Sequence, residues 1–160
     1  MPCRLVLDTN VVLDLFHFAD AAAQPILAAL EAGDAECWLE DAGREELARV
    51  LTYPELRLES AAAAVILDRY DRLARRAVPD GRPLPRLPRC KDADDQKFLE
   101  LVARIDAGLL VSKDRALLAL ARSPGIGFQI LTPAAASALL TSKPLSGRSC
   151  PCTPASRPGQ

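Results

Sequence analysis

Arg4-Leu5-Val6-Leu7-Asp8-Thr9-Asn10-Val11-Val12-Leu13 is the stretch on which the fold of this chain turns. Leu5–Leu7 reads as a short buried strand, and it stops on a carboxylate. Val11–Phe18 then reads as a helix. A buried strand that ends on Asp8 sets the acid at the C-terminal edge of a sheet, where open α/β folds hold their ligands.

Working outward, the same strand-then-helix alternation repeats. Ala22–Ala32 is an Ala/Leu helix closed by Gly33, and Glu36–Leu39 is a second strand. Asp41 caps a helix to about Leu51, ended before Pro54. Ser60 starts another helix, through Ile66, Leu67 and Tyr70 to Leu73. Residues 77–91 hold four prolines and no apolar period, so they read as a loop. Asp92 opens a helix to Ile105, Gly108 ends it, and Leu109–Ser112 is a third strand. Ala116–Ala121 is helical and Phe128–Leu131 is a fourth strand. Thr132-Pro133 then starts a last helix, with Pro in its first turn. Strands that alternate with helices imply an α/β fold whose parallel sheet is covered on both faces. Residues 1–142 read as one domain and 143–160, rich in Pro, Ser and Gly, as a flexible tail.

The bulk numbers narrow the chemistry. The 160 residues, 49% hydrophobic and 26% charged, suffice for one sizeable core, and a net charge of −1 neither invites nor excludes nucleic acid. No segment approaches a membrane span and no signal-peptide core opens the chain, so no membrane association is expected and the cytoplasm is the expected compartment. Five cysteines (3, 37, 90, 150 and 152), an odd number with no CxxC pair, argue against a disulfide scaffold and a structural zinc site. The single histidine, His17, lies between Phe16 and Phe18, which leaves no two-His metal motif and no strong case for Ser-His or Cys-His catalysis.

Acids recur where Asp8 stands. Glu46 lies on a helix, Asp92 and Asp95 at a helix start, and Asp114 just after the third strand. Four acids converging on one point repel unless a cation sits between them, which is the pattern of metal-dependent phosphoryl transfer. Helical spacing tests which could point inward. Glu46 borders the stripe Leu47, Val50 and Leu51, while Glu45 lies opposite. Asp94 and Asp95 flank the stripe Phe98, Leu99, Leu101, Val102 and Ile105 about equally, so periodicity does not choose between them. Asp92 and Asp114 also suit helix capping alone.

Taken in order, Leu7-Asp8-Thr9-Asn10-Val11-Val12, Glu46-Leu47 with Val50-Leu51, Asp92-Ala93-Asp94-Asp95 with Phe98-Leu99, and Val111-Ser112-Lys113-Asp114 with Leu117-Leu118 resemble the PIN-domain ribonucleases. Within that family they look most like the branch of toxin components of toxin–antitoxin systems. The resemblance covers about residues 4–135. It implies a three-layer sandwich with a short parallel sheet between helices, and a site for Mg²⁺ or Mn²⁺. By family position Asp8, Glu46, Asp95 and Asp114 form the catalytic acidic quartet, which settles the choice between Asp94 and Asp95. Asp92 is an additional metal-site carboxylate, Asn10 orients Asp8, and the Ser112 hydroxyl braces the site where relatives carry Thr. The implied reaction is endonucleolytic hydrolysis of RNA by metal-activated water, leaving 5′-phosphate and 3′-hydroxyl ends. RNA, an antitoxin protein and a second copy of the chain are the partners the resemblance implies. Two positions depart from the pattern. Ala93 stands where that branch often has Pro, and Ala116 where relatives often have a second acid, which puts occupancy by two metals in question.

Two rival readings remain. A haloacid-dehalogenase-type phosphatase also has a strand ending in Asp, but Asn10 occupies the position of its general acid, and no later segment supplies its lysine and Gly-Asp loop. A PIN fold retained as an RNA- or protein-binding module is consistent with Ala116. One further feature bears on RNA. From Asp68 to Lys91 the chain carries Arg69, Arg72, Arg75, Arg76, Arg82, Arg86, Arg89 and Lys91 against Asp68, Asp71 and Asp80. Arg82, Arg86 and Arg89 are the candidate phosphate contacts, set against the plainer reading of a solvated helix face and polar loop.

Overall fold

The alternation of apolar strands with amphipathic helices is realised as twelve elements in a computed structural model that describes residues 2–142. In chain order they are β1 (Cys3–Leu7), α1 (Thr9–Phe16), α2 (Gln24–Ala32), β2 (Ala35–Leu39), α3 (Asp41–Val50), α4 (Ser60–Leu73), β3 (Ala74–Arg76), α5 (Gln96–Arg104), β4 (Leu109–Val111), α6 (Arg115–Leu118), β5 (Gln129–Leu131) and α7 (Pro133–Thr141). Short 3₁₀ turns at Pro54–Leu56, Ala93–Asp95 and Ala119–Arg122 link them. Residues 143–160, read above as a tail, lie outside the described residues.

All strand pairs are parallel and the sheet order is β3-β2-β1-β4-β5. Strand alternation divides the interior into two cores. Leu5, Leu7, Leu109 and Val111 face one way and pack with Val11, Ile26, Leu47, Ile66 and Ala136 from α1, α2, α3, α4 and α7. Val6, Leu110 and Ile130 face the other way and pack with Phe98, Leu99, Val102 and Leu117 from α5 and α6. The result is the three-layer α/β architecture that the strand–helix alternation implies.

The sheet has five strands rather than four. β3 escapes a reading by pattern because two of its three residues are arginines at an exposed edge. Ion pairs hold those arginines, from Arg75 to Glu36 at 3.1 Å and from Arg76 to Asp41 at 2.8 Å. Asp41 is therefore not the cap of α3; the N-cap is Glu40, whose carboxylate instead pairs with Arg104. Thr132 does cap α7, accepting the Ala135 N–H. Cys37 and Cys90 are free and buried. No helix among the described residues is long and apolar enough to cross a membrane.

Two features of this topology position the site. The chain steps outward from β1 to β2 and β3, then crosses to β4 on the other side of β1. That reversal opens a crevice at the carboxyl ends of β1 and β4, where Asp8 and Ser112–Asp114 stand. The Pro-rich segment before Asp92 is pinned as well. The Cys90 N–H donates to Gln96 Oε1 at 2.7 Å, and Gln96 Nε2 donates to the Pro88 carbonyl at 3.2 Å. Gly125, at φ +88°, passes the Arg86 carbonyl so closely that a Cβ would sit 2.8 Å from it.

Candidate metal centre

Three acids of the crevice, Asp8, Asp92 and Asp114, are each held at the start of a helix or turn by a capping bond, whereas Asp95 stands at the start of α5 without one. Asp8 caps α1: Oδ1 accepts the Asn10 backbone N–H at 2.7 Å. Its other oxygen, Oδ2, accepts the Ser112 hydroxyl at 2.5 Å. Ser112 also accepts the Asp114 N–H at 2.9 Å, so one buried serine ties the ends of β1 and β4 together. Asp114 caps α6 through the Ala116 N–H at 2.6 Å, and Asp92 caps its 3₁₀ turn through the Asp94 N–H at 3.0 Å. Capping and ligation are thus not alternatives here. Capping uses one oxygen of Asp8, Asp92 and Asp114, which leaves the second oxygen of each outside the capping bond.

Asp92, Asp95 and Asp114 each offer a carboxylate oxygen, and these atoms lie within 4.8 Å of one another. Burial and the neighbouring Asp114 push the Asp95 carboxyl up to about 7. Asp114 moves the opposite way, lowered chiefly by the hydrogen bond from Asp95. Burial likewise raises Asp8, against the hydrogen bonds from Ser112 and Asn10 that lower it.

The residues singled out in the sequence separate into three groups. Asp92, Asp95 and Asp114 form the tight cluster. Asp8, Asn10 and Glu46 line the same cleft, of about 470 Å³, without belonging to that cluster. Asn10 acts on Asp8 through its backbone N–H. Glu46 accepts the Thr9 hydroxyl at 2.7 Å and pairs with Lys97 at 3.2 Å. Asp94 is exposed but lines the cleft, and Glu45 is exposed outside it. Arg82, Arg86 and Arg89 are exposed and none of them lines the cleft; Arg82 is paired with Asp80.

Thr9 and Lys97 are additions that sequence reasoning missed. Thr9 stands one residue past Asp8, and Lys97 two past Asp95. Their shared partner Glu46 is 37 residues from Thr9, a contact no local spacing announces. The cleft also has an apolar wall that the acids drew attention away from: Leu13, Phe18, Val50, Tyr53 and Leu56.

An all-oxygen donor set, with no histidine or cysteine in it, suits Mg²⁺ or Mn²⁺ rather than a softer metal. The three carboxylates crowd within 4.8 Å, and Asp114 helps to raise the Asp95 carboxyl; a divalent cation would relieve that repulsion. Compared with known proteins, the chain matches the PIN domain family model over residues 4–116. No curated protein matches it.

Proposed function

The chain belongs to the PIN domain family, and we propose that it is a Mg²⁺- or Mn²⁺-dependent endoribonuclease. The observation that carries this reading is the convergence of Asp92, Asp95 and Asp114 oxygens within 4.8 Å, beside Asp8, at the switch point of a PIN-domain sheet. The chemistry a divalent ion supplies when bound is acidification of a water and neutralisation of charge on the phosphate. Asp92, Asp95 and Asp114 would hold it, with Asp8 alongside. Asp95, whose carboxyl is raised by burial and by Asp114, would be held in its ionised form in a filled cluster. Ser112 keeps Asp8 and Asp114 in register throughout, and Thr9 with Lys97 keeps the Glu46 carboxylate fixed in the cleft wall. Arg82, Arg86 and Arg89 are proposed as phosphate contacts on the approach to Asp92. Alanine at all three would flatten the salt dependence of RNA binding; an unchanged slope would move the RNA track elsewhere.

By resemblance, the biological setting we propose is cytoplasmic, as the toxin of a toxin–antitoxin pair, with an antitoxin protein and a second copy of the chain as partners. A second reading, a PIN fold that binds RNA or protein without cutting, is favoured by Ala116, which leaves α6 without a second acid, and by the Lys97 ion pair on Glu46. Incubating purified protein and its Asp8→Asn variant with RNA, in Mn²⁺ and in chelator, tests the two readings. Cleavage that needs both metal and Asp8 supports the nuclease; RNA binding without cleavage supports the binding module.

A further inference from the structure

Only four large apolar side chains are strongly exposed among the described residues: Phe18, Tyr53, Val65 and Val78. Both aromatic ones line the acidic cleft. Each is mounted at the end of a helix that also bears a site residue. Phe18 follows α1, whose cap is Asp8; its N–H donates to the Leu13 carbonyl at 2.9 Å, and its ring lies 4.6 Å from the His17 ring. Tyr53 follows α3, the helix of Glu46; its N–H donates to the Val50 carbonyl at 3.0 Å, and it leads into the Pro54–Leu56 turn. Leu13, Val50 and Leu56 complete an apolar wall. A cleft of about 470 Å³ is far larger than a cation and one phosphate need, and it lies in the range of small-molecule sites.

We infer that Phe18 and Tyr53 form a base-stacking subsite on the wall of the acidic cleft. This rests on the nuclease reading, because it places the sugar–phosphate chain at the acids and the bases on the rings. Every base has a π-face, so two exposed rings hold a strand with little regard to sequence. A duplex offers no such face, since its bases are already stacked inside the helix. Neither ring touches the acids' own hydrogen bonds, so the subsite and the metal cluster are separable by mutation.

The full chain is compared with Phe18→Ala, Tyr53→Ala, the double variant and Tyr53→Phe. Each is assayed in Mn²⁺ for cleavage of a 12-nucleotide single-stranded RNA and of the matching duplex. An oligonucleotide carrying 2-aminopurine, titrated in Ca²⁺, reports stacking as quenched emission. Wild type is expected to prefer the single strand. Each alanine should raise KM for it roughly tenfold with kcat little changed, as loss of one stacked base predicts. The double variant should lose the quenching, and Tyr53→Phe should retain it. The Mn²⁺-induced rise in melting temperature should persist in every variant, which shows that fold and cluster are intact. An active wild type whose KM and quenching survive in the double variant overturns this inference and leaves the nuclease standing. So does a double variant that keeps its RNA affinity while losing only a protein partner. A wild type that neither cuts nor binds RNA overturns the nuclease reading, and the stacking subsite with it.

Discussion

Ser112 carries more of the site than its size suggests, because both Asp8 and Asp114 lean on one hydroxyl. Ser112→Ala leaves the buried Asp8 Oδ2 without its donor, at a cost of about 1–3 kcal/mol, while Ser112→Thr keeps the hydroxyl. Melting in chelator should show a drop for alanine that threonine largely restores; an alanine variant as stable as wild type would mean that Asp8 finds another donor. Asp95 makes the opposite prediction. Its folded-state pKa is raised from the ordinary carboxylate value to about 7, so the folded protein holds a proton that the unfolded chain has lost. The stability that this protonated form lends is fully present below about pH 4 and is lost as pH rises through about 7. Asp95→Asn should therefore melt higher than wild type at pH 8 in chelator and hardly differently at pH 4. A variant that melts lower at pH 8 would contradict the raised Asp95 carboxyl. Asp8 and Asp114 stand out in the sequence because each follows a short apolar strand closely, although capping alone also suits Asp114. Periodicity does not separate Asp94 from Asp95, since both flank the α5 stripe; family position chooses Asp95, and in the folded chain Asp95 is the less exposed of the two and the one in the cluster.

At the scale of elements, legibility followed apolar content. β1, β4 and α5 announce themselves through uninterrupted or periodic hydrophobics. β3 is written in arginines and exists through pairing with β2 and through ion pairs to Glu36, Asp41 and Asp71. Arg44 joins this group, and its hydrogen bond holds the Asp71 carboxyl below the usual carboxylate range. These pairs are largely exposed, so Arg44→Ala should cost no more than about 1 kcal/mol. Leu99, fully buried on the inner face of α5, should cost about 2–5 kcal/mol as alanine. Denaturant unfolding of both variants checks the ranking. A larger loss at Arg44 than at Leu99 would mean that the polar edge, rather than the core under Asp92–Asp95, holds the site in place.

For the molecule as a whole, strand order decides function. Placing β4 beside β1 brings Asp114 to Asp8 across 106 residues of chain, and the pinned Pro-rich segment delivers Asp92 and Asp95 to the same crevice. The alternation of strands and helices announced a parallel sheet, but the ion pair between Lys97 and Glu46 and the aromatic wall arise only when distant loops meet. The central claim is that these carboxylates form one divalent-metal site. Calorimetric titration of Mn²⁺ into wild-type protein and Asp114→Asn, at pH 8 and again at pH 6, tests it most directly. The account predicts saturable binding by wild type, weaker at pH 6 because the cation must displace the proton on Asp95, and little or no binding by Asp114→Asn. Equal Mn²⁺ binding by the two proteins, or none by wild type at pH 8, would contradict it.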